Sequence, residues 1–144
     1  MQFVKTDKKC DIYNLLMEFQ EVFPHLMDKI PNLEEYAEKL SEFAYVYLAK
    51  QNNKSVGILI FYANDEESKT AYISLIGVKK GHERKGMGKE LLEYCEKISR
   101  QSSMSRLKLE VDEDNVSAVK FYEKNGFRYL ETTGRNSFYM QKDI

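Results

Sequence analysis

The stretch "GHERKGMGKELL", residues 81–92, sets two closely spaced glycines and a dense run of charges directly before a segment with helical periodicity. A glycine-rich turn that enters a helix leaves backbone N–H groups unpaired at the helix start, where the helix dipole also favours an anion. Gly86 and Gly88 would let a phosphate approach the backbone closely. Three nearby side chains could add charge-assisted hydrogen bonds: Arg84, Lys85 and Lys89. The loop alone is also compatible with an ordinary tight turn and solvated lysines.

Two common phosphate-binding motifs do not fit this loop. Gly81 and Gly86 have the spacing of a nucleotide P-loop, but Met87 and Gly88 stand where lysine and serine or threonine would bind phosphate and magnesium. The glycines at 86 and 88 could also begin a dinucleotide fingerprint, but Leu91 occupies its third glycine position. Both motifs are therefore rejected.

The elements around the loop predict a mixed α/β sandwich. Apolar periodicity, turn residues and capping patterns indicate a short strand, two helices, a hairpin, a strand, a helix, a strand, a helix and a final hairpin. Asn32, with Glu35 three residues later, resembles the start of the second helix. This order favours a mixed, mainly antiparallel central sheet of about six or seven strands flanked by about four helices, an α+β type of α/β fold. No repeat or linker divides the sequence, so we expect one domain over residues 1–144.

Two segments resemble the GCN5-related N-acetyltransferase (GNAT) family. "LIGVKKGHERKGMGKELL", residues 75–92, is similar to its cofactor loop, which reads Gln/Arg-x-x-Gly-x-Gly/Ala after a strand that ends in an apolar pair. "LEVDEDNVSAVKFYEKNGF", residues 109–127, is similar to its later strand and helix. The resemblance, including the order of elements, covers roughly residues 43–140.

The resemblance implies the acyl-CoA N-acyltransferase-like fold, with acetyl-CoA as co-substrate. The diphosphate of acetyl-CoA would lie on the amides of residues 84–89, and its thioester would lie along the strand that ends at Val78. The cofactor-binding residues implied are Ile76, Gly77, Val78, Glu83, Arg84, Lys85, Gly86, Met87, Gly88, Lys89, Asn115 and Tyr122. Gly77 fits either a bulged strand that frees backbone groups or simple packing against a helix. Asn115 fits either pantetheine binding or a helix cap. The family pattern has glutamine or arginine where this chain has Glu83, a carboxylate that is unfavourable near a diphosphate unless it points away.

The resemblance also implies direct transfer of the acetyl group to a primary amine, with Tyr122 as the catalytic proton donor. A phenol with a pKa of about 10 stays protonated at neutral pH and can donate to a leaving thiolate. No general base stands out, since Tyr72, Ser74, Glu110 and Asp112 are equal candidates. Neither histidine has a serine or cysteine partner arrangement that would indicate a covalent acyl-enzyme.

The acceptor would be a small molecule, such as an amino sugar, amine or amino acid, or a peptide. It would lie against the first two helices and the central strands, where aromatic side chains are frequent: Phe23, His25, Tyr36, Tyr45, Tyr62 and Tyr72. These side chains are equally compatible with a packed core. The alternative function is a non-catalytic acyl-CoA-binding or regulatory module, and an interaction domain that forms a homodimer could coexist with either.

Composition excludes several other classes. The 144 residues carry a net charge of -1, which gives no global field for nucleic acid or an anionic membrane. The longest apolar run, residues 56–63, is far shorter than the roughly 20 residues of a membrane-spanning helix, and the N-terminus lacks the apolar core of a signal peptide. We therefore expect a cytoplasmic protein that binds no metal. Cys10 and Cys95 have no partner spacing and are expected as free thiols.

Overall fold

A computed structural model of the chain describes residues 1–83 and 85–144, with the Met27 side chain omitted. The described residues form seven strands and five helices. In chain order they are β1 (Gln2–Lys5), α1 (Lys9–Glu18), α2 (Leu26–Lys29), α3 (Leu33–Phe43), β2 (Tyr45–Gln51), β3 (Lys54–Tyr62), β4 (Thr70–Val78), α4 (Met87–Gln101), β5 (Arg106–Asp112), α5 (Val116–Lys124), β6 (Arg128–Thr132) and β7 (Ser137–Asp143).

The strands form one sheet in the order β1-β2-β3-β4-β5-β7-β6. All neighbouring strands are antiparallel except β4 and β5, which are parallel. The mixed, mainly antiparallel sheet predicted from the sequence is confirmed. Helix α2 was not predicted, and it consists of a single turn.

Helices cover both faces of the sheet. On one face, α1 and α3 bury apolar residues such as Leu16 and Leu40 against Ile58 and Ile60 of β3. On the other face, α4 packs Leu91 against the same sheet in a second apolar cluster. Since burial of apolar surface is the main favourable term in folding, these two clusters fix the order of the layers and hold β4 and β5 at the centre.

The helix starts follow from local chemistry. The Asn32 side chain accepts a hydrogen bond from the Glu35 N–H at 3.1 Å, which confirms the cap predicted for the second long helix. In the part of the chain that the structure describes, no helix combines the length and apolar character needed to cross a bilayer.

Candidate active site

Strands β4 and β5 pair over only part of their length. The parallel ladder runs from Thr70 opposite Arg106 to Ile73 opposite Leu109. Residues 74–78 of β4 have no partner in that ladder. Ile60 and Phe61 of β3 pair with Leu75 and Ile73, so Ser74 is the additional residue of a β-bulge. The sheet therefore has an opening at the centre, beside backbone groups of β4 that a ligand could bind.

Gly77 lies in this unpaired part of β4, against the segment that follows α1. A β-carbon at position 77 would lie 2.6 Å from Val22 Cγ1 and 2.8 Å from Phe23 Cζ. Real contacts of this kind are essentially never so short, so only glycine fits here without a shift of these side chains. The two explanations left open by the sequence do not exclude each other: the backbone around Gly77 is unpaired on the β5 side, and Gly77 is also closely packed against Val22 and Phe23.

The glycine-rich loop leads directly into α4. Gly86 precedes the helix with φ of 79°, and apart from its chain neighbours no described residue lies within 4 Å of the position that its β-carbon would take. The Glu90 N–H bonds to the Gly86 carbonyl at 3.1 Å. The N–H groups of residues 87–89 belong to the first turn, which has no preceding helical turn to accept its hydrogen bonds. This helix start is suited to an anion.

A cavity of about 900 Å³ lies between α4 and α5 beside this helix start. Five of the predicted cofactor residues line it: Val78, Glu83, Gly86, Gly88 and Lys89. Phe121 of α5 also lines it and closely approaches Gly88, since a β-carbon at position 88 would lie 3.0 Å from the Phe121 ring.

Other predicted cofactor residues lie elsewhere. Met87 is buried, and the partly buried Ile76 side chain packs against the cluster beneath α4; neither residue lines the 900 Å³ cavity. Lys85 lines a separate cavity of about 230 Å³ together with His82. Arg84 lies outside the described residues.

Glu83 is exposed and lines the 900 Å³ cavity. We expect Glu83→Gln to bind acetyl-CoA equally well or up to about fivefold more tightly, because it removes a like charge near the anion site. Isothermal titration calorimetry at low salt would measure this, with Glu67→Gln in the distant β3–β4 loop as the control for net charge. A large loss of affinity would instead assign Glu83 a positive role in the loop.

A second cavity, of about 750 Å³, lies on the other side of α5 and opens at the gap between β4 and β5. Tyr122 and Asn115 line it, as do Tyr72, Ser74 and Glu110. Neighbouring residues 121 and 122 of α5 thus line different cavities, so this helix separates the two spaces. Asp112 lines the 750 Å³ cavity as well, so the structure brings Tyr122 together with all four candidate bases.

Tyr122 is packed among aromatic rings, with centroids 5.4 Å from Phe121 and 5.6 Å from Phe127. Burial raises the pKa of Tyr122 to about 12, because the tyrosinate would lose its hydration. No described side chain hydrogen-bonds its hydroxyl, which therefore remains available to a ligand in the cavity.

Asn115 caps α5. Its side-chain oxygen accepts a hydrogen bond from the Ala118 N–H at 3.2 Å. The capping alternative is thus observed. Asn115 also lines the 750 Å³ cavity, and its amide N–H₂ makes no hydrogen bond to a described residue, so capping leaves this donor free for a ligand carbonyl.

Glu110 is held by a network that the sequence did not predict. Ser137 Oγ donates to Glu110 Oε2 at 2.6 Å, and Arg135 Nη2 donates to Oε1 at 3.3 Å. Ser137 is itself buried, and its Oγ lies 2.6 Å from Thr133 Oγ1. These partners come from β7 and the turn before it, and the register that places β7 against β5 brings them together. Both oxygens of Glu110 are therefore fixed at the cavity.

The opposite wall is made by α2 and α3. The Tyr36 hydroxyl lies 2.9 Å from Ser74 Oγ, and burial raises the pKa of Tyr36. Lys29 Nζ lies 3.8 Å from Asp112 Oδ1 at the exposed rim. Ser74 and Asp112 therefore have partners of their own.

Among the residues described, no three histidine, cysteine, aspartate or glutamate side chains are grouped so that they could hold a metal ion.

The same arrangement of strands and helices occurs in solved acetyltransferases. An acetyltransferase from Thermus thermophilus is 20% identical, with a TM-score of 0.77 over 100% of this chain and 98% of that one. The PaiA N-acetyltransferase from Thermoplasma acidophilum, solved with coenzyme A, is 21% identical, with a TM-score of 0.76 over 100% of both chains. These likenesses define the fold as that of an acetyltransferase.

Sequence comparison identifies the family. The model of the acetyltransferase (GNAT) family matches residues 10–127, and the chain belongs to this family. Protein YxbD of Bacillus subtilis is 35% identical over 56% of this chain, but the match spans only 48% of YxbD. N-alpha-acetyltransferase 50 of Danio rerio is 26% identical over 81% of this chain and 77% of its own length. The resemblance found in the two motifs is therefore confirmed.

Proposed function

We propose that this chain is an N-acetyltransferase that moves the acetyl group of acetyl-CoA directly to a primary amine of a small molecule or peptide. One observation carries the proposal. The 750 Å³ cavity at the gap between β4 and β5 holds both a protonated phenol, Tyr122, and a carboxylate fixed by two partners, Glu110. Transfer to an amine needs a hydrogen-bond donor for the departing sulfur and an acceptor for the amine proton, and these residues supply both.

Acetyl-CoA is the co-substrate, and the helix start at Gly86 is proposed to hold its diphosphate. The backbone N–H groups of residues 87–89 and the Lys89 side chain would bind the phosphate oxygens. The 900 Å³ cavity between α4 and α5 would take part of the cofactor, and the unpaired backbone of β4 would bind the pantetheine amides. Backbone binding explains how a family member can tolerate Glu83, because the main donors do not depend on that side chain.

In the proposed reaction, the amine nitrogen attacks the thioester carbonyl, so the C–N bond forms as the C–S bond breaks. Glu110 accepts the amine proton, directly or through water, and Tyr122 donates a hydrogen bond to the sulfur. With its pKa raised to about 12, Tyr122 is a weaker acid than a thiol, whose pKa is about 8.5. We therefore assign Tyr122 the stabilisation of the developing thiolate more than a complete proton transfer.

Glu110→Gln is expected to lower kcat/KM for amines about tenfold to 100-fold near neutral pH, because glutamine cannot accept the amine proton. The amide preserves most of the shape and can still accept from Ser137, so folding should change little. Thiol release measured across a panel of amines would give kcat/KM, and circular dichroism would check the fold.

The matched control is Glu113→Gln, which makes the same chemical change at an exposed glutamate just after β5. Its effect should be within about threefold, because Glu113 lines neither the 750 Å³ cavity nor the 900 Å³ cavity. Equal losses in both variants would remove the specific role of Glu110. Binding of coenzyme A without thiol release from any amine would instead indicate an acyl-CoA-binding module.

A further inference from the structure

A ladder of charged side chains runs along one face of β5. Leu107, Leu109 and Val111 point into the cluster beneath α4, so the alternate residues of this strand face the opposite side. They are, in order, two cations and two anions: Arg106, Lys108, Glu110 and Asp112. The anionic end of the ladder lies in the proposed acceptor cavity, and the cationic end lies beyond it.

The cationic end lines a separate cavity of about 680 Å³. Tyr72 lines both this space and the acceptor cavity, so the two spaces adjoin at its side chain. Besides Arg106 and Lys108, the hydrogen-bonding groups of Tyr62, Thr70 and Gln141 line it. No step of the proposed transfer uses this cavity.

Positive charge is in excess around the 680 Å³ cavity at the cationic end of β5. Arg106 and Arg128 share one carboxylate, since both lie 3.4 Å from an oxygen of Asp143. Lys108 Nζ lies 4.2 Å above the Tyr139 ring, and no carboxylate of a described residue lies within 4 Å of it.

One carboxylate, that of Asp65, also lines this cavity. Asp65 accepts from the Ser68 N–H at 3.1 Å and from Ser68 Oγ at 2.6 Å, and these hydrogen bonds lower its pKa, so it stays ionised and offsets one of the two positive charges in the lining. Lys108 forms no ion pair with Asp65, so this lysine is the cation of the cavity that is available to a ligand anion.

We propose that the acetyl acceptor is an elongated zwitterion, with its amine at Glu110 and an anionic group at Lys108. This inference rests on the proposed amine acetylation. The two residues lie on one face of β5 two positions apart, which separates their α-carbons by about 7 Å. Because their side chains are long, an acceptor with about 7 to 10 Å between its amine and its anionic group spans the two cavities. A carboxylate or a phosphate-like group would meet the same requirement.

The test uses straight-chain primary amines of increasing length that end in methyl, carboxylate or phosphonate. Extended ω-aminohexanoate and ω-aminooctanoate span about 7 to 10 Å, whereas glycine is far shorter. Thiol release gives kcat/KM for each amine. Calorimetry on the protein saturated with coenzyme A gives the affinity for each amine without requiring turnover.

The ratio of kcat/KM between acid-terminated and methyl-terminated amines should peak at the hexanoate and octanoate lengths. In Lys108→Met this preference should fall about fivefold, while the values for methyl-terminated amines stay unchanged. Lys108→Arg should keep the preference. Lys97→Met, which changes an exposed lysine on α4 at the opposite face of the sheet, should have no effect. The carboxylate and phosphonate series separate the two kinds of anion.

A preference that is independent of length, or one that survives Lys108→Met, would overturn this inference while leaving amine acetylation intact. Selective binding of the longer acids without any thiol release would instead overturn the proposed transfer and support the anion site. The two failures therefore have different signatures.

Discussion

Replacing Tyr122 by phenylalanine is expected to lower kcat about 100-fold, while the affinity for acetyl-CoA changes by no more than about twofold. Tyr122 lines the cavity at the gap between β4 and β5, and its hydroxyl has no hydrogen-bond partner among the described side chains. Removal of the hydroxyl therefore breaks no hydrogen bond to a described side chain. The hydrogen bond that we assign to it forms fully only as the C–S bond breaks, so the loss falls on turnover and not on binding.

Single-turnover thiol release and calorimetry would separate these two quantities. Tyr129→Phe, on the edge strand β6 and 58% exposed, is the matched control and should leave both unchanged. With the pKa of Tyr122 raised to about 12, its hydroxyl stays protonated well above about pH 10. Any decline of the rate on the alkaline side should therefore be the same in the wild type and in Tyr122→Phe. An undiminished kcat in Tyr122→Phe would end the assignment.

The order of elements and the cofactor loop could be predicted from the sequence, because each depends on residues that are close along the chain. The helix that starts at Met87 follows from apolar spacing, and the cap at Asn32 follows from a residue type and its neighbour three positions later. Helix α2 has only four residues, which is too short for a helical period to show.

The hydrogen bonds to Glu110 could not be predicted from the sequence, because they depend on the register between β5 and β7. Ser137 and Arg135 lie 25 or more residues from Glu110 in sequence and meet it only because β7 pairs antiparallel with β5. The segment that contains Arg135 was predicted only as a hairpin turn. In the same way, the direction in which Lys85 points depends on how the loop packs, which residue type does not specify.

The second large effect is expected at Gly86. Its φ of 79° lies in the left-handed region, where an alanine costs roughly 1 to 2 kcal/mol. Among the described residues no side chain or backbone obstructs a methyl group at this position, so we expect backbone strain to be the main effect. The loop can relieve that strain by rotating this peptide, and such a rotation moves the N–H groups that we propose for the diphosphate. We therefore expect Gly86→Ala to weaken acetyl-CoA binding about tenfold or more, with a small change in melting temperature.

Three further variants distinguish backbone strain at the helix start from a general loss of folding. Gly134→Ala introduces the same strain in the turn between β6 and β7, where φ is 81° and the space is also open, so its acetyl-CoA affinity should match the wild type. Gly86→Asn should recover much of the affinity, because asparagine tolerates the left-handed region. Gly88→Ala keeps ordinary helical geometry and requires only that the Phe121 ring move by a few tenths of an ångström, so its loss of acetyl-CoA affinity should be smaller than that of Gly86→Ala.

If Gly86→Ala binds acetyl-CoA as tightly as the wild type in calorimetry, the diphosphate does not depend on this helix start, and the site must be sought elsewhere along the cavity between α4 and α5.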